Sequence, residues 1–314
     1  MHTRYFELPS RNMHKAGFVN IIGKPNVGKS TLMNALVGEK LSIITPKAQT
    51  TRHRIRGIVS TDDYQIVFSD TPGIIDPHYK LHKAMMNVVA EALSDAEVIM
   101  FVMEIGDPNP VDEKTLKILA DTKTPLLLVI NKIDLGNQDI LVPKVVEWKK
   151  KLPNAEIVPV SATKKFNCDY LLKRITELVP EAPPYFPKDD ITDKSQRFFI
   201  SEIIREKIFF TYHKEIPYST EVVIEEFIED APLKDAKKGD GKITRIRAII
   251  FVTRKSQLGI LIGHGGKALK IVGTEARKDI EEFLGKKVFL EMVVKVDEDW
   301  RDSDKRLRKY GYIE

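Results

Sequence analysis

The stretch VNIIGKPNVGKSTLMNALVG, Val19 to Gly38, sets an apolar run, two glycines five positions apart and a Lys-Ser-Thr triplet within twenty residues. Its centre runs Gly23, Lys24, Pro25, Asn26, Val27, Gly28, Lys29, Ser30, which fills every fixed position of a phosphate loop. The context such a loop needs is present: FVNII before it reads as a buried strand, and the residues from Thr31 to Val37 read as a helix that stops at Gly38. Without a Cβ at Gly23 and Gly28 the chain can wrap closely around a polyphosphate, its amide N–H groups pointing inward at the positive end of the helix. Lys29 would then reach the outer phosphates, and Ser30 would place a hydroxyl on Mg2+.

Composition sets wider bounds. The 314 residues suffice for two domains, and 42% hydrophobic residues without an uninterrupted apolar span of eighteen predict a globular protein rather than a membrane-spanning one. MHTRYFELPSRNMHK at the start has no apolar core of signal-peptide length, so no secretion is expected. Cys168 is the single cysteine, which precludes an internal disulfide and fits a reducing cytoplasm. A formal net charge of +5 is modest, so an argument for nucleic acid must come from where the charges sit.

Residues 17 to 180 alternate strand and helix patterns. The expected strands are GFVNII, the pair RIRGIVS and YQIVFSD joined across TDD, EVIMFVME, PLLLVIN and EIVPVSA. Helices are expected over Thr31–Val37, Leu81–Ser94, Asp112–Asp121, Leu141–Lys151 and Asn167–Leu178. Continuously apolar strands alternating with helices predict an α/β domain with a mainly parallel sheet and helices on both faces. Ligands bind such sheets at the carboxyl ends of the strands.

The remaining polar motifs fall at those ends: Asp70-Thr71-Pro72-Gly73, then Asn131-Lys132-Ile133-Asp134, then Ser161-Ala162-Thr163. In this order they resemble the signature of the translation-factor class of GTPases over roughly the first 165 residues. That resemblance implies GTP/GDP bound with Mg2+ across the phosphate loop and Thr31, with Ser30, Asp70 and a threonine of the next loop around the metal. Lys29, Asp70 and Gly73 would act on the phosphates, the Gly73 amide meeting the γ-phosphate. Asn131 would brace the loop, the Lys132 stem would lie along the purine plane, and Asp134 would accept two guanine donors that adenine does not offer together. Ser161 and Ala162 would complete the base site, the Ala162 amide meeting the guanine O6. ATP is the alternative ligand.

The loop threonine lies in PKAQTTRHR, Pro46 to Arg54, which resembles the switch segment that closes on Mg2+ when the γ-phosphate is present. Spacing does not choose between Thr50 and Thr51; we expect Thr51. Ile74 and Ile75 follow the Asp-Thr-Pro-Gly motif where Ras-like enzymes place a water-orienting glutamine, so unaided hydrolysis should be slow. Asn26 has two readings. By resemblance it would help hold K+ beside the phosphates; by propensity it is a good turn former.

PEAPPYFPKDDITDKSQRF, Pro180 to Phe198, ends the first domain, because its prolines neither continue a helix nor join a central strand. We expect a nucleotide domain over 1–182, a proline-rich link over 183–197 and a second domain over 198–314. The second part reads as helix, two strands, two helices separated by a glycine turn, and a last strand. That order resembles an α+β type II KH domain, the prokaryotic form, whose RNA clamp would be Gly263-His264-Gly265-Gly266 with Ile262 and Lys267 at its sides. Such a turn lets RNA backbone lie against main-chain N–H groups, while Ile260, Leu261 and Ile262 could floor a groove for bases. Residues 241 to 274 carry seven Lys or Arg and no Asp or Glu, which suits a polyanion. His264 reads as a surface side chain touching phosphate. The segment Asp230 to Lys242, DAPLKDAKKGDGK, reads as an exposed loop.

A GTPase domain, a proline-rich link and a type II KH domain together resemble the Era family of bacterial ribosome-assembly GTPases. The resemblance implies binding to the 3′ end of 16S ribosomal RNA, a role in maturation of the 30S subunit, a monomer, and a cytoplasmic protein loosely attached to the inner face of the membrane. No amphipathic anchor or lipidation signal supports that attachment independently. A tRNA-modifying GTPase of the same broad group would need a folate-like leading domain and a reactive cysteine near the end, which this chain lacks. An RNA-binding scaffold without hydrolysis would have no need of Lys29, Ser30, Asp70 and Asp134.

Overall fold

The computed structural model describes residues 13–108, 110–231 and 242–313, so the expected loop Asp230 to Lys242 falls mostly outside the described residues. The first unit runs β1 (Lys15–Ile22), α1 (Lys29–Val37), β2 (Ile55–Ser60), β3 (Tyr64–Asp70), α2 (Lys80–Ser94), β4 (Val98–Glu104), α3 (Glu113–Asp121), β5 (Leu126–Asn131), α4 (Gln138–Lys151), β6 (Ala155–Pro159) and α5 (Cys168–Leu178). The strand order is β2-β3-β1-β4-β5-β6, parallel throughout except for the antiparallel β2–β3 pair. Alternate residues of a strand face opposite sides, so a sheet covered twice demands apolar residues at every position. Val98, Met100 and Val102 of β4 pack with α1 and α5, while Ile99, Phe101 and Met103 pack with α2, α3 and α4. Because β1, β3, β5 and β6 are parallel, the segments after Ile22, Asp70, Asn131 and Pro159 gather at one edge.

Element ends follow local chemistry. α4 begins at Gln138 rather than Leu141 because the Asn137 side chain accepts from the Ile140 N–H at 3.1 Å and caps the helix. The proline-rich stretch is pinned to the sheet: the Ile58 N–H donates to the Ile191 carbonyl at 2.9 Å. Thr192 Oγ1 donates to the Arg56 carbonyl at 2.7 Å, and Gln65 Oε1 accepts from the Tyr185 and Phe186 amides at 2.7 and 2.9 Å.

The second unit comprises α6 (Gln196–Thr211), α7 (Ile216–Ser219), β7 (Glu221–Ala231), β8 (Ile243–Val252), α8 (Lys255–Ile262), α9 (Lys267–Leu284) and β9 (Val288–Val296). β8 is central, antiparallel to β7 and parallel to β9. Ile200, Ile204 and Ile208 of α6 and Val272, Ala276 and Ile280 of α9 repeat every four residues, and they bury against Ile246, Ala248 and Ile250 of β8. After β9 a short 3-10 turn at Trp300 and α10 (Asp304–Lys309) were not expected. Trp300, Leu307, Tyr310 and Tyr312 leave their own domain's core and pack on Leu81, Ala84 and Met85 of α2.

Candidate functional site

The phosphate loop has the backbone its glycines foretell. Gly23 sits at φ 149° and Gly28 at φ 94°, and a Cβ on either would lie 2.2 Å from the Val102 carbonyl oxygen or 2.3 Å from Asn131 Nδ2. Both positions therefore need glycine for steric as well as conformational reasons. Lys29 is buried, its Nζ donating to the Gly23 and Lys24 carbonyls at 3.0 and 2.8 Å. Burial lowers its pKa to about 8, with the Asp70 carboxylate acting in the opposite direction.

Three expected metal ligands converge. Ser30 Oγ donates to Asp70 Oδ2 at 2.6 Å and lies 3.0 Å from Thr51 Oγ1, which is itself 3.4 Å from Asp70 Oδ2. Thr50 points elsewhere: its hydroxyl lies 2.6 Å from Thr45 Oγ1 and donates to the Lys47 carbonyl at 2.7 Å. Asp70 is fully buried, and its Oδ1 has no hydrogen-bond partner among the described residues. Leaving such an acceptor bare costs about 1–3 kcal/mol or more for a charged group, and burial accordingly raises the Asp70 pKa. Two hydroxyls beside a desolvated carboxylate, next to a glycine cradle and a buried lysine, fit a hard divalent cation with an attached polyphosphate.

The neighbouring segments close on this centre. A Cβ on Gly73 would come within 2.6 Å of Pro25 N, and the Ile74 N–H donates to the Gly23 carbonyl at 3.1 Å, so the Asp-Thr-Pro-Gly turn lies directly on the phosphate loop. Thr71 faces inward, its hydroxyl on the Ile21 carbonyl at 2.7 Å. Asn26 takes φ 65° and donates from Nδ2 to the Pro46 carbonyl at 2.9 Å, which makes it a turn former that also tethers the following loop.

At the base end, Asn131 Nδ2 donates to the Val27 carbonyl at 2.9 Å and its Oδ1 accepts from the Ala162 N–H at 3.1 Å. One side chain thus joins the phosphate loop to the last motif, as bracing requires. The Ala162 amide, expected to meet guanine O6, is engaged by Asn131 here. Asp134 Oδ1 accepts from Ser161 Oγ at 2.5 Å, and Lys132, at φ 60°, pairs with Glu104 at 2.7 Å. A cleft of about 490 Å³ lies over the phosphate loop, with Thr31, Thr51, Gly73 and Lys132 in its wall.

In the second unit Gly263, Gly265 and Gly266 all have positive φ, at 73°, 57° and 76°. His264, Gly265 and Lys267 are exposed, and Ile262 is half-buried. Leu261 corrects the expectation made for it: it is fully buried in the domain core and cannot floor a groove, because α8 turns that face inward. Ile260, 52% exposed, does reach the surface. No residue of the Gly263–Gly266 turn lines the cleft over the phosphate loop, so the two sites are separate.

The comparisons agree with this layout. The model for the 50S ribosome-binding GTPase family matches residues 18–132, and that for the KH domain matches residues 215–301. GTPase Era of Staphylococcus haemolyticus is 45% identical over 302 residues, covering 96% of this chain and 98% of its own; that of Staphylococcus epidermidis is 44% identical with the same coverage. The chain belongs to the GTPase Era family. A solved structure of Era in complex with MgGDPNP and nucleotides 1506–1542 of 16S ribosomal RNA superposes with a TM-score of 0.88 at 40% identity, over 96% of this chain and 100% of that one. A variant of Aquifex aeolicus Era bound to GDP.AlF4− gives the same values.

Within this Era-family chain the residues that sequence reasoning missed are those by which the second unit grips the switch-like segment Pro46 to Arg54. Lys47 Nζ donates to the Phe209 and Tyr212 carbonyls, and Arg205 Nη2 donates to the Thr50 carbonyl. Arg52 is buried and donates to the Thr220 and Pro217 carbonyls at 2.7 and 3.0 Å. Lys47 and Arg52 were legible only as loop cations, and Arg205 only as one charge on an amphipathic helix. Ile75, apolar where a catalytic glutamine could stand, packs with the Trp300 cluster.

Proposed function

We propose that this chain is a slowly hydrolysing GTP switch that binds the 3′ end of 16S ribosomal RNA and acts in maturation of the 30S subunit. The observation that carries the reading is the position of Thr50 and Thr51. Thr51 faces Ser30 and Asp70 in the phosphate site, while the carbonyl of Thr50 is held by Arg205 of the KH unit. A segment bonded both to the phosphate site and to the KH unit is what a nucleotide-controlled RNA binder requires.

In this reading Gly23 to Thr31, with Thr71, Pro72 and Gly73, surround the phosphates; Ser30, Thr51 and Asp70 hold Mg2+; and Asn131, Lys132, Asp134, Ser161 and Ala162 form the guanine site. Mg2+, when bound, supplies positive charge to the phosphate oxygens. Ile74 offers no group to orient water, which makes the unaided rate slow. The RNA backbone lies on Ile262 to Lys267. The division into 1–182, 183–197 and 198–314 is kept as the proposed functional partition, with the link bonded along β2 and α6 starting at Gln196 within it.

By its family the protein is further proposed to act as a cytoplasmic monomer with loose attachment to the inner face of the membrane. Among the described residues no helix is long and apolar enough to cross a membrane. Flotation with anionic vesicles tests the attachment, and a protein left in the dense fraction would argue against it.

Titration of a labelled RNA carrying the small-subunit 3′ sequence, with GDP or a non-hydrolysable GTP analogue present, tests the switch. The analogue should change RNA affinity by about 5- to 150-fold, and RNA must then change analogue affinity by the same factor. Equal affinities in both states would leave a GTPase and an RNA binder merely sharing a chain.

A further inference from the structure

We propose that Phe210, on the last turn of α6, is a nucleotide-contacting residue: the KH unit supplies the apolar wall against which the nucleoside of GTP or GDP rests. The inference rests on the nucleotide reading above and extends the binding site across the two units.

Phe210 is 53% exposed, although its neighbours Ile208 and Phe209 are fully buried. An exposed phenyl ring is ordinary by itself. This one lines the cleft over the phosphate loop, together with Ser30, Thr31, Ile44 and Lys132, and among the described residues it is the one the KH unit places there. Ile44 is 39% exposed in the same cleft. The cavity thus carries phosphate-binding groups at its floor and two uncovered apolar side chains on its wall. A free polyphosphate has no use for the second feature. A nucleotide does, because its flat base and ribose bring apolar faces that gain by leaving water against a ring.

The backbone beside Phe210 is also held from the nucleotide side. Lys47 Nζ donates to the main-chain carbonyls of Phe209 and Tyr212, which flank Phe210. Those are carbonyls at the α6 C-terminus, where helix partners run out and a cation is favoured. Lys47 belongs to the segment that carries Thr51. A rearrangement of that segment would therefore move Phe210 relative to Lys132, and nucleotide release would depend on how the KH unit sits.

Release of tritiated GDP from the full chain decides the matter, read for the parent protein and for Phe210→Ala, Phe210→Leu and Phe210→Trp. Phe210→Ala should release GDP roughly tenfold faster, equivalent to about 1.4 kcal/mol, with Phe210→Leu between it and the parent. The ligand-free melting temperature should not change, since a half-exposed ring gives up little packing. In Phe210→Trp, GDP should shift the added tryptophan emission saturably, above the signal of the buried Trp148 and Trp300 in the parent. If Phe210→Ala proves unstable, that emission change alone decides. Tight GDP binding by the parent with unaltered release from Phe210→Ala and no emission response in Phe210→Trp would overturn this inference and leave the GTPase reading standing. Failure of the parent to bind GDP would overturn both.

Discussion

Arg205 donates from Nη2 to the main-chain carbonyl of Thr50, while the next residue, Thr51, holds its hydroxyl 3.0 Å from Ser30. Arg205 is buried and is itself fixed by Glu202, whose carboxylate accepts from Arg205 Nε at 2.8 Å. One peptide unit therefore connects a buried charge pair in the KH unit to the Ser30–Asp70 cluster of the nucleotide unit. Any ligand that prefers one position of Thr51 must also bias α6, and the coupling runs equally in the other direction.

The two threonines should behave differently. Thr51→Ala removes a hydroxyl from the Ser30–Asp70 cluster and should lower Mg2+-dependent GTP hydrolysis by about 10- to 100-fold. Thr50→Ala removes bonds only within its own loop, so the Mg2+ dependence should persist. Phosphate release followed against Mg2+ concentration checks this, and interchanged phenotypes would assign the metal to Thr50.

Lys29 should make GDP binding dependent on pH. Burial holds it at about 8 in the free protein, and adjacent phosphates favour its charged form. The bound pKa is thus higher than the free one, so above pH 8 binding draws a proton onto Lys29, whereas at pH 7 the proton is already present. Calorimetry at pH 8.5 in buffers of different ionisation enthalpy should reveal uptake approaching one proton. Enthalpies independent of buffer at pH 8.5 would contradict the assignment.

Asn26 separates its two roles in salt. If its side chain helps hold K+, hydrolysis should run faster in K+ than in Na+ at equal ionic strength, and Asn26→Ala should abolish the difference. Equal rates in the two salts would reduce Asn26 to the turn and the Pro46 tether that the structure shows.

Base choice should rest on Asp134, of which Ser161 occupies one oxygen. Asp134→Asn replaces an acceptor by a donor, so guanine nucleotides should bind more weakly and xanthine nucleotides more tightly. Unchanged GTP affinity by calorimetry would remove Asp134 from the base site.

Gly266→Asp tests the RNA clamp. The position has φ 76° with open space around an added Cβ, and Asp is among the side chains that best tolerate this left-handed region. A carboxylate there repels phosphate, so RNA affinity should fall roughly tenfold or more while GTP affinity stays. Undiminished RNA binding in filter assays would move the RNA site off this turn.

What the sequence determined by itself were the features that depend on near neighbours in the chain. Gly23 and Gly28 announce a phosphate loop because their backbone angles and missing Cβ atoms are local requirements. Doubly apolar strands announce a covered parallel sheet, which in turn brings Asp70, Asn131 and Ser161 to one edge. The four-residue spacing of Ile200, Ile204 and Ile208 announces a buried helix face.

Tertiary structure alone decided what depends on which segments meet. Thr50 and Thr51 are chemically equivalent in sequence, and only the path of the loop over Ser30 separates them. Leu261 and Ile260 are adjacent aliphatic residues, and only the docking of α8 buries one and exposes the other. The stretch FFTY around Phe210 has no local mark of a ligand. Its ring reaches the nucleotide cleft because Lys47, Arg52 and Arg205 bind backbone carbonyls across the junction of the two units, and a carbonyl has no letter in the sequence.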